Sequence, residues 1–255
     1  MTSQRDGFAS YLVAQDHDTT VDLVNPGVVL AIGAHPDDVE FGCGATLAKW
    51  SQRGTEVHVA ILTDGRRGTW NVTEDQLALA VTREAEAKRA AAILGATTLN
   101  FYRQIDGELK MTAEIVMQLV ALMRSLCPDV VITHDPWKRY RLHPDHRVTG
   151  EIVIDALVRA RDATFWPELS STPARPNNLL LFEADVEDHH ETLSQEHLTT
   201  KAKALACHQS QYQSSYGLRP NTPDATEQLL ARLSDVARDP ASTTYQEHFK
   251  RITDL

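Results

Sequence analysis

The chain has few cysteines, few aromatic residues and no excess of positive charge. Cys43, Cys127 and Cys207 are the only thiols among 255 residues. An odd number without a CxxC pair excludes a disulfide framework and a thiolate zinc site, and it fits a reducing compartment. Lys and Arg number 25 against 35 Asp and Glu, a formal net charge of −10. Such a surface repels phosphate backbones, so nucleic acid is not an expected partner. No apolar run approaches the ~20 residues needed to cross a bilayer. The first twenty residues are polar and lack the apolar stretch of a signal peptide, so the expected location is the cytoplasm. Walker, GxSxG and HExxH motifs are all missing. Gly42-Cys43-Gly44 offers a GxG, but no third glycine follows at dinucleotide spacing.

What is present is a strand–helix alternation. Residues 1–27, ending in Asn-Pro-Gly, read as an N-terminal arm. Residues 28–255 read as one domain with a mostly helical C-terminal part. Short apolar runs at 28–34, 57–62, 98–102 and 130–133 read as buried strands, with a further strand at 179–184. Helical spacing covers 41–53, 73–94, 111–126 and 147–161. The expectation is therefore α/β: a Rossmann-like, doubly wound, mostly parallel sheet with helices on both faces. His189-His190 reads as a solvated helix start. The tail 228–255 reads as helix.

Two clusters carry chemistry. His35-Pro36-Asp37-Asp38 follows the first strand, and His143-Pro144-Asp145-His146 follows the fourth. Open parallel sheets bind ligands beyond the carboxyl ends of their strands, where strand order reverses. In the order 3-2-1-4 the loops after strands one and four face one crevice. Two imidazoles and a carboxylate with an open fourth position form a common catalytic zinc arrangement, and His35, Asp38 and His146 supply it. Iron or cobalt suits the same donors. Either cluster alone is equally well explained by helix capping. Two clusters at two such strand ends favour the metal.

The stretches AIGAHPDDVEFGCGATLAKW (31–50) and PDVVITHDPWKRYRLHPDHRVTG (128–150) resemble the two motifs of the PIG-L/LmbE-type zinc-dependent de-N-acetylases. REAEAKRAAAILGA (83–96) and KALACHQSQ (203–211) are similar to later blocks of that family. The resemblance implies one Zn2+ per chain on His35, Asp38 and His146. It implies Asp37 as general base, His143 as stabiliser of the tetrahedral intermediate, and Asp145 as the residue orienting His143. The implied reaction is hydrolysis of an N-acetyl or N-acyl group from an amino sugar or its conjugate by zinc-activated water. The partner is then a small N-acetylated amino sugar, and family members often form trimers or hexamers. The rival reading is an amidase acting on a thiol, mycothiol-like conjugate. In the mycothiol branch a Tyr stands two residues before the position of His143, and Arg141 stands there here.

Arg83 and Asp106 are the candidate substrate contacts. Arg83, placed near the start of the Ala/Glu-rich helix, otherwise suits a surface ion pair, and Asp106 an ordinary turn. His208 suits either the site or helix packing. Arg66, Arg67 and Trp70 lie in the loop after the second strand and could form a rim.

Overall fold

The computed structural model describes residues 19–169, 172–239, 241–253 and 255. Most of the expected arm, residues 1–18, lies outside the described residues. The strands are β1 (Thr20–Val21), β2 (Val28–Gly33), β3 (Glu56–Thr63), β4 (Thr98–Gln104), β5 (Val130–His134), β6 (Asn178–Phe182), β7 (His189–Leu193) and β8 (Tyr245–Ile252). They form one sheet in the order β1-β7-β8-β6-β5-β2-β3-β4. The stretch β6-β5-β2-β3-β4 is parallel throughout, whereas β8 runs antiparallel to both β6 and β7. The β4-β3-β2-β5 portion has the order expected from the sequence.

The helices are α1 (Asp38–Gln52), α2 (Gln76–Ile93), α3 (Ala113–Leu126), α4 (Pro144–Ala160), α5 (Gln195–Leu205) and α6 (Ala225–Ala237). Alternation along β2 divides the core. Val29 and Ala31 pack with Leu47 and Trp50 of α1 and Ala87 of α2. Leu30 and Ile32 pack with Leu119 of α3 and Ile152 and Ala156 of α4. Both faces of the central strands are covered, which is why their sequences are continuously apolar. The helix starts follow from their caps. Asp75 accepts from Leu77 N and Ala78 N at α2, and Thr112 accepts from Ile115 N at α3. Pro144 occupies the first position of α4, where its missing N–H costs nothing. This helix therefore starts three residues earlier than the expected 147, and His143-Pro144-Asp145-His146 forms its cap and first turn.

The C-terminal part departs from the expectation. His189–Leu193 and Tyr245–Ile252 are strands, not helix. Their inward positions include polar groups that hide the two-residue period: His189 and Glu191 on β7, Glu247 on β8. Each is buried with partners. Glu191 accepts from Lys49 Nζ (2.7 Å) and Leu23 N (2.7 Å), and its Oε1 lies 3.0 Å from His189 Nε2. Glu247 accepts from Lys201 Nζ (2.6 Å), Ala45 N (3.1 Å) and Thr46 N (2.7 Å).

Glu247 explains a break in α1. Cys43 leaves helical geometry (φ −149°), so the turn bearing Asp38 is offset from the rest of the helix. The N–H groups freed downstream of the break go to Glu247. Lys201 donates to Phe41 O upstream of it (2.7 Å). The offset turn lies flat on β6. A methyl group at Gly42 would sit 2.5 Å from the Phe182 ring, which itself packs edge-on against His134 at 4.5 Å. Gly42→Ala should therefore cost about 1–3 kcal/mol, as overpacking does. A lowered unfolding midpoint in urea with an unchanged m-value would show it.

Candidate active site

The first cluster is a tight turn at the end of β2. The Asp38 carboxylate accepts the backbone N–H of His35 (2.7 Å), folding its side chain back over the turn. Asp37 pays for this shape with φ +106°, a left-handed conformation rare for a residue with a Cβ. Three contacts hold it. Arg83 donates to Pro36 O and to Asp37 Oδ1 (3.3 Å), and Tyr216 donates to Asp37 Oδ2 (3.4 Å). Arg83 is anchored further by Gly65 O (2.9 Å). It is buried two turns into α2, not near its start and not in a surface pair.

The second cluster meets the first across the β2–β5 junction. His146 Nε2 lies 3.2 Å from His35 Nδ1 and 3.3 Å from Asp38 Oδ1, and His35 Nδ1 lies 3.2 Å from Asp38 Oδ2. Donors about 2.0 Å from one tetrahedral ion stand ~3.3 Å apart, the spacing of the two imidazole nitrogens here, while Asp38 turns a different oxygen to each of them. The partners behind His35 fit as well. Its Nε2 faces Asp145 Oδ2 (3.2 Å) and Asp106 Oδ1 (3.2 Å), the carboxylate support usual for a metal-binding imidazole. His146 is backed differently: its Nδ1 accepts from Arg141 Nη1 (2.9 Å), which also donates to Glu183 (2.5 Å). His134 adds a fourth nearby imidazole. Its Nε2 is 3.1 Å from Asp38 Oδ2 and 3.4 Å from Ala34 N, and in the Nε2-protonated form it donates to the carboxylate. His134, His146 and Asp38 also form a compact donor set.

The adjacent carboxyls Asp37 and Asp38 are pushed in opposite directions. Burial disfavours the charge of both. For Asp38 it is outweighed by His134, His146 and His35, which hold its pKa well below the usual range. For Asp37 burial wins over Arg83 and His208 and raises it to about 6. Burial also opposes the charge of Asp106, but His35 and the Arg67 N–H bring it down to about 2. His143 is lowered by burial and by neighbouring His35 and His146, so it is neutral near pH 7 and keeps an N–H to donate.

Asp145 lies close to His143 but bonds to other groups. Its carboxylate accepts from Gly107 N (2.6 Å) and Leu109 N (3.3 Å) and faces His35; none of its hydrogen bonds reaches His143. Asp145 is buried in the first turn of α4, whereas His143 is the N-cap and borders the cavity. His143 packs edge-on against His35 at 4.6 Å and stacks on His146 at 4.8 Å. His35, Asp37, Asp38, His134, His143 and His146 border a cavity of about 590 Å3, to which Arg83 and Asp106 also contribute. Glu183, Gln211 and Tyr216 were not anticipated. Gln211 closes the similar block at 203–211, but nothing local in the sequence marks Tyr216. His208 is fully buried, with Nε2 3.6 Å from Glu40.

The family model described as PIG-L, GlcNAc-PI de-N-acetylase, matches residues 30–157, half of the chain. A probable N-acetyl-alpha-D-glucosaminyl L-malate deacetylase 2 of Bacillus anthracis is 31% identical over 202 residues, 74% of this chain and 84% of that protein. The chain belongs to the PIG-L family. A second PIG-L-like relative, the diacetylchitobiose deacetylase of Thermococcus kodakarensis, is 39% identical over 129 residues, 51% of this chain. The match spans about half of that relative's length (48%). Among solved structures, the N,N'-diacetylchitobiose deacetylase of Pyrococcus horikoshii superposes with a TM-score of 0.78 at 26% identity, covering 90% of this chain and 85% of that one. No helix among the described residues is long and apolar enough to cross a membrane.

The support behind His35 yields a test. Asp145→Ala should weaken divalent-ion binding by about 10–100-fold, as loss of such a partner does. Competition with a chelator would measure it. Unchanged affinity would detach Asp145 from the ion site.

Proposed function

We propose that this PIG-L member is a metal-dependent N-deacetylase that frees the amine of an N-acetylated amino sugar or sugar conjugate. One observation carries the reading: a buried carboxylate, Asp37, stands beside two imidazoles and a carboxylate whose nitrogen and oxygen atoms approach one another at 3.2–3.3 Å. We assign the ion to His35, Asp38 and His146, one per chain, with zinc as the native metal. A divalent ion held there polarises an acyl oxygen and makes water more acidic.

The chain's own groups do the rest. Asp37 takes a proton from water and returns it to the leaving nitrogen. A carboxyl raised towards neutrality is suited to both steps, because efficient acid–base groups titrate near the working pH. Arg83 and Tyr216 hold one oxygen each and fix the direction of the remaining lone pairs. Neutral His143, at the opening, donates its N–H to the oxygen that gains charge. Asp145 keeps His35 in the tautomer with Nε2 protonated and Nδ1 free. Asp106 and Arg83 border the cavity and contact sugar hydroxyls. Three unpaired thiols, one exposed, suit the cytoplasm.

Asp37→Ala should keep the ion, since Asp37 is not among its donors. Its acetate release from N-acetylglucosamine conjugates should fall by about 10²–10⁴-fold, the usual worth of a general base. Metal analysis and an acetate assay on the same preparation would check both halves. Near-normal turnover would mean that another group is the base.

A further inference from the structure

The His189-His190 pair opens β7, and the active site uses neither residue. Buried and outward positions alternate along β7 and β8. His189, Glu191, Glu247 and Phe249 are buried, so His190 and His248 share the outward face. The register sets these two directly opposite each other across the antiparallel ladder. Directly opposed residues have Cβ atoms ~4.5–5.5 Å apart, so their side chains meet. The two rings stand 5.7 Å apart, centroid to centroid, at an interplanar angle of 45°.

A similar spacing occurs at the catalytic turn. His35 and His146, the imidazoles assigned to the ion there, stand 5.1 Å apart at 54°. Two imidazoles bound to one tetrahedral ion by nitrogen bonds of about 2.0 Å have centroids roughly 5 Å apart. His190 and His248 are thus close to the separation that a shared ion requires. The side chain of His248 is 44% exposed and His190 is half-buried, so the rings can turn to close the difference.

A carboxylate stands beside them. Glu187 Oε2 lies 3.6 Å from His248 Nδ1. Other acids nearby are committed elsewhere. Asp22 Oδ1 accepts from Lys49 Nζ (2.5 Å) and Thr192 N (2.7 Å), and Asp239 accepts from Ala241 N (2.9 Å) and Ser242 Oγ (2.8 Å). Burial, then His248 and His189, lower the pKa of His190. It therefore presents a neutral ring near pH 7, the form that binds a metal.

We propose that His190, His248 and Glu187 form a second site for a divalent transition ion, separate from the catalytic one. Two imidazoles and a carboxylate suit zinc, nickel or copper better than magnesium or calcium. An ion there clamps β8 to β7. The same strand supplies Glu247, which accepts the N–H groups freed by the break in α1. The ion thus secures a strand that supports the Asp38 turn without touching substrate. The site is independent of the deacetylase reading.

The probe is zinc, dialysed to equilibrium at micromolar free concentration against untagged, metal-stripped protein. The wild type should hold two ions per chain. His190→Gln and His248→Gln should each hold one. Affinity for the second ion should fall about 10²-fold, because the paired imidazole binds intramolecularly. Glu187→Gln should be intermediate. His146→Ala should also hold one ion, and zinc should still raise its thermal unfolding midpoint. Adding His248→Gln to that variant should abolish the rise. One ion per wild-type chain, or a second ion that survives both His190→Gln and His248→Gln, overturns the site. A second ion lost with either histidine supports it, whether or not the protein releases acetate.

Discussion

The parallel pairing of β2 with β5, in the register Val29↔Val130, Leu30↔Val131 and Ala31↔Ile132, sets the position of every reactive group in this protein. Residues 35 and 146 are 111 apart in sequence, yet each follows the carboxyl end of one of two adjacent strands. A slip of one residue would exchange the two buried faces of β2 and shift the two loops relative to each other. The apolar packing of both sheet faces opposes such a slip. The geometry of the site is thus a consequence of where valines and leucines are buried, well before any imidazole is involved.

The local cost is paid in backbone and charge. Asp37 is held in a left-handed conformation worth of order 1–3 kcal/mol of strain. Two carboxylates side by side would repel if both were ionised without compensation. Cations and imidazoles from five different segments act on the pair, with Asp38 held charged and Asp37 raised to about 6. Strain and unequal titration at one turn mark a place shaped for chemistry, since a plain helix cap needs neither.

Much of this was legible in the sequence. The alternation of short apolar runs with helical spacing was enough for the order β4-β3-β2-β5, and the strand-end histidines followed. What escaped has common physical causes. The strands β7 and β8 place His189, Glu191 and Glu247 inward, so an alternation of apolar and polar residues is not visible along them. Those charges are tolerable only because Lys49 and Lys201 reach them from distant helices. The hydrogen bonds of Asp145 to His35, Gly107 and Leu109 come from segments distant in the chain, which no local pattern around His143 announces. Tyr216 and Glu183 reach the site through folding of remote segments, and no local pattern announces them.

Asp145 also ties two functions together. One carboxylate supports the imidazole of His35 and holds the backbone N–H groups of Gly107 and Leu109, the loop that carries Asp106. His35 at one wall of the cavity and Gly107 at another are thus tethered to a single carboxylate in the first turn of α4.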